Sequence, residues 1–231
     1  MKTQQFDELS VFLSDCARPN RTSLILFRGQ DCLKPLLPKI ARPKPQDNTT
    51  GSEREILEEL RRIGGAFLPH AAEDDWDLLA RAQHFQLATR LLDWTTNPLV
   101  ALWFAVRDLD AKKACYVYRF TPTHDDILEK ERDQGPFDTG RTLVYRPNLK
   151  NPRILAQSGW FTLHRYSEDN RAFVSLERNK KLKSKLLCWE IPGSKKSVLF
   201  EQLDQLGVNH LSLFPDLEGV CRHLNWVHSR A

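Results

Sequence analysis

The 231 residues carry 34 Lys and Arg against 30 Asp and Glu, a formal charge of +4, with 41% hydrophobic and 28% charged side chains. That balance excludes wholesale disorder and permits, without demanding, an anionic ligand or a nucleic acid. The five widely spaced cysteines form no CxxC pair, the start of the chain has no apolar leader segment, and no run approaches the ~18 apolar residues of a membrane span. A cytoplasmic protein without a membrane partner is the expectation.

Phe6, Leu9, Phe12, Leu13 and Cys16 fall at helical spacing and predict an opening helix over 4–16. Ser23 to Phe27 predicts a strand that stops at Arg28-Gly29-Gln30, which places Arg28 at a strand end. Residues 42–52 are rich in turn formers and read as a surface loop. Ile56, Leu57, Leu60 and Ile63 mark a helix closed by Gly64-Gly65, and Trp76, Leu79, Ala80 and Gln83 mark another. Arg90 to Trp94 is then extended, Asn97 is a suitable N-cap, Pro98 suits the first helical position, and Leu99 to Val106 is an apolar helix.

Cys115 to Phe120 predicts a strand, while 121–150 is polar, turn-rich and without a clear period. Leu186 to Ile191 predicts another strand, ended by Pro192-Gly193. A helix over 195–206 should turn Val198, Leu199, Leu203 and Leu206 inward. Val208 to Phe214 reads as a last strand, and Pro215 opens a C-terminal helix. The expected architecture is α+β: one compact domain over 1–231, core about 20–226, with a mixed or antiparallel sheet flanked by helices.

Motifs for phosphate loops, dinucleotide folds, serine hydrolases and zinc proteases are missing, and no histidines lie three or four apart, so no metal site is expected. What remains is polar side chains set among core residues next to predicted strand ends. They are Arg28 and Gln30; Gln83, His84, Arg90, Asp93, Trp94, Thr95, Thr96 and Asn97 within the run 82–99; Arg153 and Gln157; and Asp216 and Glu218. Buried ionisable groups need partners, so each of these is either a site residue or a structural brace.

Phe27-Arg28-Gly29-Gln30, Gln83-His84, Thr89 to Thr95 with Asn97-Pro98-Leu99, Arg153, Gln157-Ser158-Gly159 with Phe161-Thr162, and Phe214 to Gly219 together resemble the FRG domain family in order and spacing, from about residue 24 to 224. The family pattern usually has Gly-Leu-Pro where this chain has Gln86-Leu87-Ala88, and often Asp where it has Glu218. A second resemblance, to ADP-ribosyltransferases, implies an NAD-binding, transferase-like fold. By that resemblance Arg28 grips a pyrophosphate, Thr95 and Thr96 orient the nicotinamide ribose, and Glu218 or Asp216 steadies the developing oxocarbenium ion or orients the acceptor. Catalytic candidates are thus Arg28, Thr95, Glu218 and Asp216. Cofactor-binding candidates are Arg28, Gln30, Gln83, His84, Thr95, Thr96, Asn97 and Gln157.

Each has a structural alternative. Arg28 can pair with Asp93 or Asp216; Arg90, Asp93 and Trp94 read as braces; Asn97 caps a helix; Gln83 and His84 can form a hydrogen-bonded core pair. Asp216 and Glu218 suit the first turn of a helix, and Arg178 to Lys185 reads as a solvated loop or an anion-binding patch. The leading expectation is a toxin or defence effector that uses NAD to modify a macromolecular target. The alternatives are a non-enzymatic nucleotide- or nucleic-acid-binding module, with Lys180, Lys181 and Lys183 as contacts, and a protein-interaction domain whose polar motifs serve only the fold.

Overall fold

A computed structural model describes residues 1–17, 23–68, 74–109, 112–129, 135–148 and 152–229. In chain order the elements are β1 (Lys2–Gln5), α1 (Leu9–Asp15), β2 (Leu26–Gln30), α2 (Thr50–Gly64), α3 (Asp75–His84), β3 (Leu91–Thr95), α4 (Pro98–Val106), β4 (Cys115–Phe120) and β5 (Leu143–Tyr145). They continue with α5 (Pro152–Ala156), β6 (Gly159–Leu163), β7 (Tyr166–Ser167), β8 (Ala172–Phe173), β9 (Leu186–Ile191), α6 (Lys196–Gln205), α7 (His210–Leu213) and α8 (Leu217–His228). Among the described residues the architecture is α+β: a seven-stranded sheet in the order β1-β9-β4-β2-β3-β6-β5, and a two-stranded ribbon of β7 and β8. Among the described strands β1 and β9 pair in parallel and the other pairs of this sheet are antiparallel, so the sheet is mixed.

The helices gather on one face of the sheet in two groups. Phe27 and Val117 and Trp189 turn toward α1, α4 and α6, where they pack with Phe12, Ala101, Trp103, Leu199 and Leu203. At the other end Leu91, Phe161 and Leu163 pack beneath α2 and α3, against Leu57, Trp76 and Leu79. The opposite face carries Leu26, Leu92, Trp94, Tyr118 and Phe120, and is closed by Leu36, Leu176 and Leu182 from connecting segments. Side chains alternate between faces along each strand, and this alternation sorts them.

Several expectations are corrected. Residues 4–16 do not form one helix: Lys2 to Gln5 pair with Leu187 to Glu190, and α1 begins only at Leu9. The strand at 26–30 contains Arg28 rather than ending at it, because Arg28 to Gln30 continue the ladder against Tyr118 to Tyr116. The loop expected over 42–52 gives way to helix at Thr50. Within 121–150, parts of which lie outside the described residues, Leu143 to Tyr145 form a strand against β6. In α6, Leu199 and Leu203 are buried as expected, whereas Val198 and Leu206 are exposed. Val208 to Phe214 is not a strand. Asn209 and Ser212 form a reciprocal capping box there and wind His210–Leu213 into a helical turn.

Close contact between β2 and α4 depends on Gly29. A Cβ at that position would lie 1.9 Å from the Ala101 carbonyl oxygen and 2.6 Å from the Ala105 nitrogen. Backbone atoms cannot rotate away, so the helix would have to lift from the sheet. Gly29→Ala should destabilise the fold by about 1–3 kcal/mol or more, the range for overpacking. Urea unfolding checks this, and an unchanged midpoint would contradict it.

Candidate functional site

Leu91, Asp93 and Thr95 share one face of β3, by strand alternation. Leu91 is covered by the α2–α3 group, and Thr95 is buried beside β2. Asp93 falls in the gap between the two helix groups, and its side chain is 57% exposed. The gap is a cleft of about 500 Å³ with Asp93 and Thr95 in its wall, α4 contributing Ala101 and Phe104, α3 contributing Gln83 and His84, and the α5 region contributing Arg153 and Gln157. That volume lies within the range of small-molecule sites.

The cleft opens because β2 and β3 pair only at Phe27 and Thr95. Past that pair Arg28 replaces the missing ladder: its Nη1 donates to the Asp93 carbonyl oxygen at 2.8 Å and lies 3.7 Å from the Asp93 carboxylate. Nε reaches Gln30 Oε1 at 3.4 Å, and the Gln30 amide donates in turn to the Lys34 carbonyl at 3.0 Å. Burial pulls the Arg28 pKa down and the Asp93 charge opposes this, while the guanidinium stays charged at neutral pH.

Gln83 is no core residue. Its Nε2 donates to both Asp93 carboxylate oxygens, at 3.1 and 3.2 Å, and its Oε1 accepts from the buried Thr89 hydroxyl at 2.6 Å. His84 lines the cleft beside it; burial lowers its pKa, the charge of Arg153 adds to the effect, and Asp216 opposes it. Thr95 Oγ1 accepts from the Asn97 backbone N–H at 3.0 Å. Thr96 and Asn97 do not line the cleft: Asn97 caps α4 by accepting from Leu99 N at 2.9 Å, and Thr96 N donates to the Ser158 carbonyl. Gln157 does line it and anchors α7 through its Nε2 and the Leu213 carbonyl at 3.1 Å.

Six cationic side chains line the cleft, Arg28, Lys34, Lys39, Arg42, Arg107 and Arg153, against the acids Asp31 and Asp93. Burial lowers the pKa of Arg107 and of Arg153, with nearby carboxylates only partly opposing it. Desolvated positive charge of this kind is relieved by an anion. The Arg153 guanidinium lies 4.2 Å from the centre of the Phe214 ring. Arg107, Arg42 and Lys39 belong to no motif, and single basic residues of this kind carry no signal in the sequence.

The C-terminal acids stand elsewhere. Asp216 is the N-cap of α8, accepting from Gly219 N at 2.8 Å, and follows a helical turn rather than a strand. Glu218 is 67% exposed and pairs with Arg222 one turn on, at 2.7 Å. Neither lines the cleft, although both lie close enough to influence Arg153. Among the described residues, no three His, Cys, Asp or Glu side chains gather as a metal would require.

Arg90 does not line the cleft and Trp94 does, but both are held by partners outside it. Arg90, 1% exposed, pairs through Nε with Glu53, 2% exposed, at 2.8 Å; Glu53 also accepts from the Arg90 backbone N–H at 2.7 Å. Burial pushes the Glu53 pKa up and the Arg90 charge opposes it. Phe137 lies against the guanidinium, 4.6 Å from ring centre to Cζ. Glu53 sits 37 positions from its partner, which is why local reading missed it. Trp94 Nε1 donates to Thr162 Oγ1 at 3.0 Å, and Thr162 contacts His164 Nε2 at 3.1 Å.

Glu53→Ala should cost about 3–5 kcal/mol in urea unfolding, because it leaves a buried guanidinium unpaired. A loss below about 1 kcal/mol would show that water reaches Arg90. Burial drives the His164 pKa from the ordinary 6.5 to about 3, against a bond with the Val174 backbone, so the folded protein holds this ring neutral. The unfolded chain binds the extra proton first. Stability from His164 is therefore complete above pH 6.5 and declines as pH falls toward 3, by up to ~1.4 kcal/mol per pH unit. His164→Asn should flatten that part of the pH profile, and an unaltered slope would refute the assignment.

Comparison with known proteins returns one family model, the FRG domain, over residues 23–114. No curated protein and no solved structure matches the chain. The match takes in Arg28, Gln83, Asp93, Thr95 and Arg107 and stops short of Arg153 and Gln157. Over residues 23–114 the chain is similar to the FRG domain family.

Proposed function

We propose that the cleft binds a pyrophosphate-bearing nucleotide, NAD, and that the protein transfers ADP-ribose from it to a macromolecular acceptor, as a toxin or defence effector does. The observation that carries this reading is the convergence of six cationic side chains on a cleft that also offers Phe104 and Trp160. Arginine forks suit pyrophosphate oxygens, and aromatic faces suit a base or nicotinamide ring.

The donor set fits NAD group by group. Arg28 engages Asp93 O and Gln30 with two of its donors, and the rest of its five N–H groups remain for phosphate oxygens. The Thr95 hydroxyl oxygen accepts from Asn97 N, which leaves its proton available to donate to a ribose oxygen. Gln157 spends its amide N–H on Leu213 and keeps Oε1 for a carboxamide or an exocyclic amine. NAD supplies an activated glycosidic bond; the protein's part is to hold the pyrophosphate and orient the ribose.

A non-enzymatic nucleotide-binding module is the second reading. It is favoured by Asp216 and Glu218, which are engaged as a helix cap and a surface ion pair. Lys180, Lys181 and Lys183 are exposed and do not line the cleft.

Calorimetry with NAD and ADP-ribose, together with labelled NAD in lysate, tests both readings. Arg28→Ala should weaken NAD binding roughly 10- to 100-fold, as expected for loss of charge-assisted hydrogen bonds worth about 1.5–3 kcal/mol. The affinity should fall with added salt. Binding with neither label transfer nor hydrolysis would select the module. Equal behaviour of wild type and variant would end the nucleotide reading. Because Arg28 also ties β2 to β3, the melting temperature of the variant is recorded alongside.

A further inference from the structure

Resting on the NAD reading of the cleft, we infer that Asp93 is the carboxylate that acts on the bound nucleotide, and that Gln83, set by Thr89, is its positioning residue. Two acids line the cleft. Asp31 is occupied by Lys34 at 3.3 Å and by the Cys32 thiol at 3.2 Å, both close in sequence. Asp93 stands between the helix groups with its side chain 57% exposed, in a strand whose neighbours Leu92 and Trp94 are buried. A carboxylate kept uncovered in the middle of a sheet serves no packing purpose.

Its orientation is held from below. Thr89 is buried; its oxygen accepts the Leu91 backbone N–H at 3.1 Å, and its proton goes to Gln83 Oε1 at 2.6 Å. That fixes which way the Gln83 amide faces. Reversing the amide would set its oxygen against the Asp93 carboxylate, acceptor to acceptor. The Gln83 N–H₂ therefore donates to Asp93, at 3.1 and 3.2 Å to the two oxygens. Arg28 approaches the same carboxylate only to 3.7 Å, which steadies its charge without occupying it as a hydrogen bond would.

In the step assigned here the glycosidic C1′–N1 bond breaks and its electron pair stays on the nicotinamide nitrogen, which neutralises the pyridinium. A C1′–O bond forms to water or to an acceptor hydroxyl, and Asp93 takes the proton that this oxygen loses. Its negative charge also faces the positive charge that grows on the sugar as the bond opens.

Wild type, Asp93→Asn, Gln83→Ala and Glu218→Gln are compared for NAD affinity by calorimetry and for nicotinamide release. Asp93→Asn should bind NAD within about threefold of wild type, keep its melting temperature, and release nicotinamide at least about 100-fold more slowly. Gln83→Ala should lower kcat about tenfold with KM nearly unchanged, the pattern of a lost transition-state arrangement. Release by Asp93→Asn at the wild-type rate overturns the assignment, and the more directly if Glu218→Gln is the variant that fails. A wild type that binds NAD but releases no nicotinamide removes the transfer step and with it the role of Asp93. A wild type that does not bind NAD overturns the nucleotide reading itself.

Discussion

The hydrogen bond from Arg28 to the Asp93 carbonyl holds the centre of this molecule together. Two adjacent strands that stop pairing after a single residue pair leave backbone groups without partners, and in a sheet interior such groups are costly. Arg28 supplies a donor where β2 supplies none, and so β2 and β3 can diverge without the sheet coming apart. The divergence creates the cleft, and the same guanidinium brings positive charge into it. Gly29, one residue on, keeps α4 close enough to form the facing wall. Three consecutive residues, Phe27, Arg28 and Gly29, thus make the core contact, the bridge and the close approach.

What could be read from the sequence was mostly local. The junction at Asn97-Pro98 contains its own cap and its own first helical residue, so its structure follows from neighbours alone. Strands β4 and β9 are apolar enough to show in any window. Hidden elements are those that depend on distant partners. Lys2-Thr3-Gln4-Gln5 becomes a strand only because β9 is there to pair with it, and Leu143 to Tyr145 only because of β6. At 208–214 an apolar run outweighed a capping signal, Asn209 with Ser212, that was present and stronger.

Candidate site residues divide in the same manner. Arg28, Gln83 and Thr95 lie on β2, α3 and β3, elements that apolar patterning predicts to within a few residues, and with Gln157 they line one cleft. Asp93 reads as a brace, set beside Arg90 and Trp94 in an apolar strand; alternation along β3 turns its side chain away from Leu92 and Trp94 and toward the cleft. Sequence patterning shows that alternation; it does not show where two helix groups part and leave one position of the face uncovered. Glu53 braces Arg90 and belongs to no motif, while Thr89, the first residue of the Thr89 to Thr95 run, sets Gln83 from beneath the site. Residues after 114, beyond the FRG match, close the cleft through Arg153, Gln157 and Trp160.

The first strand has one more effect. Among the described residues it is the terminal member of the sheet order and pairs with β9 on one side, so the other row of its backbone donors and acceptors is where a strand from another molecule could attach. An apolar sequence there would invite edge-to-edge aggregation. The Lys, Thr and Gln side chains that conceal this strand from hydrophobic patterning also keep its outer rim hydrated, and they discourage the sheet from growing beyond its own chain.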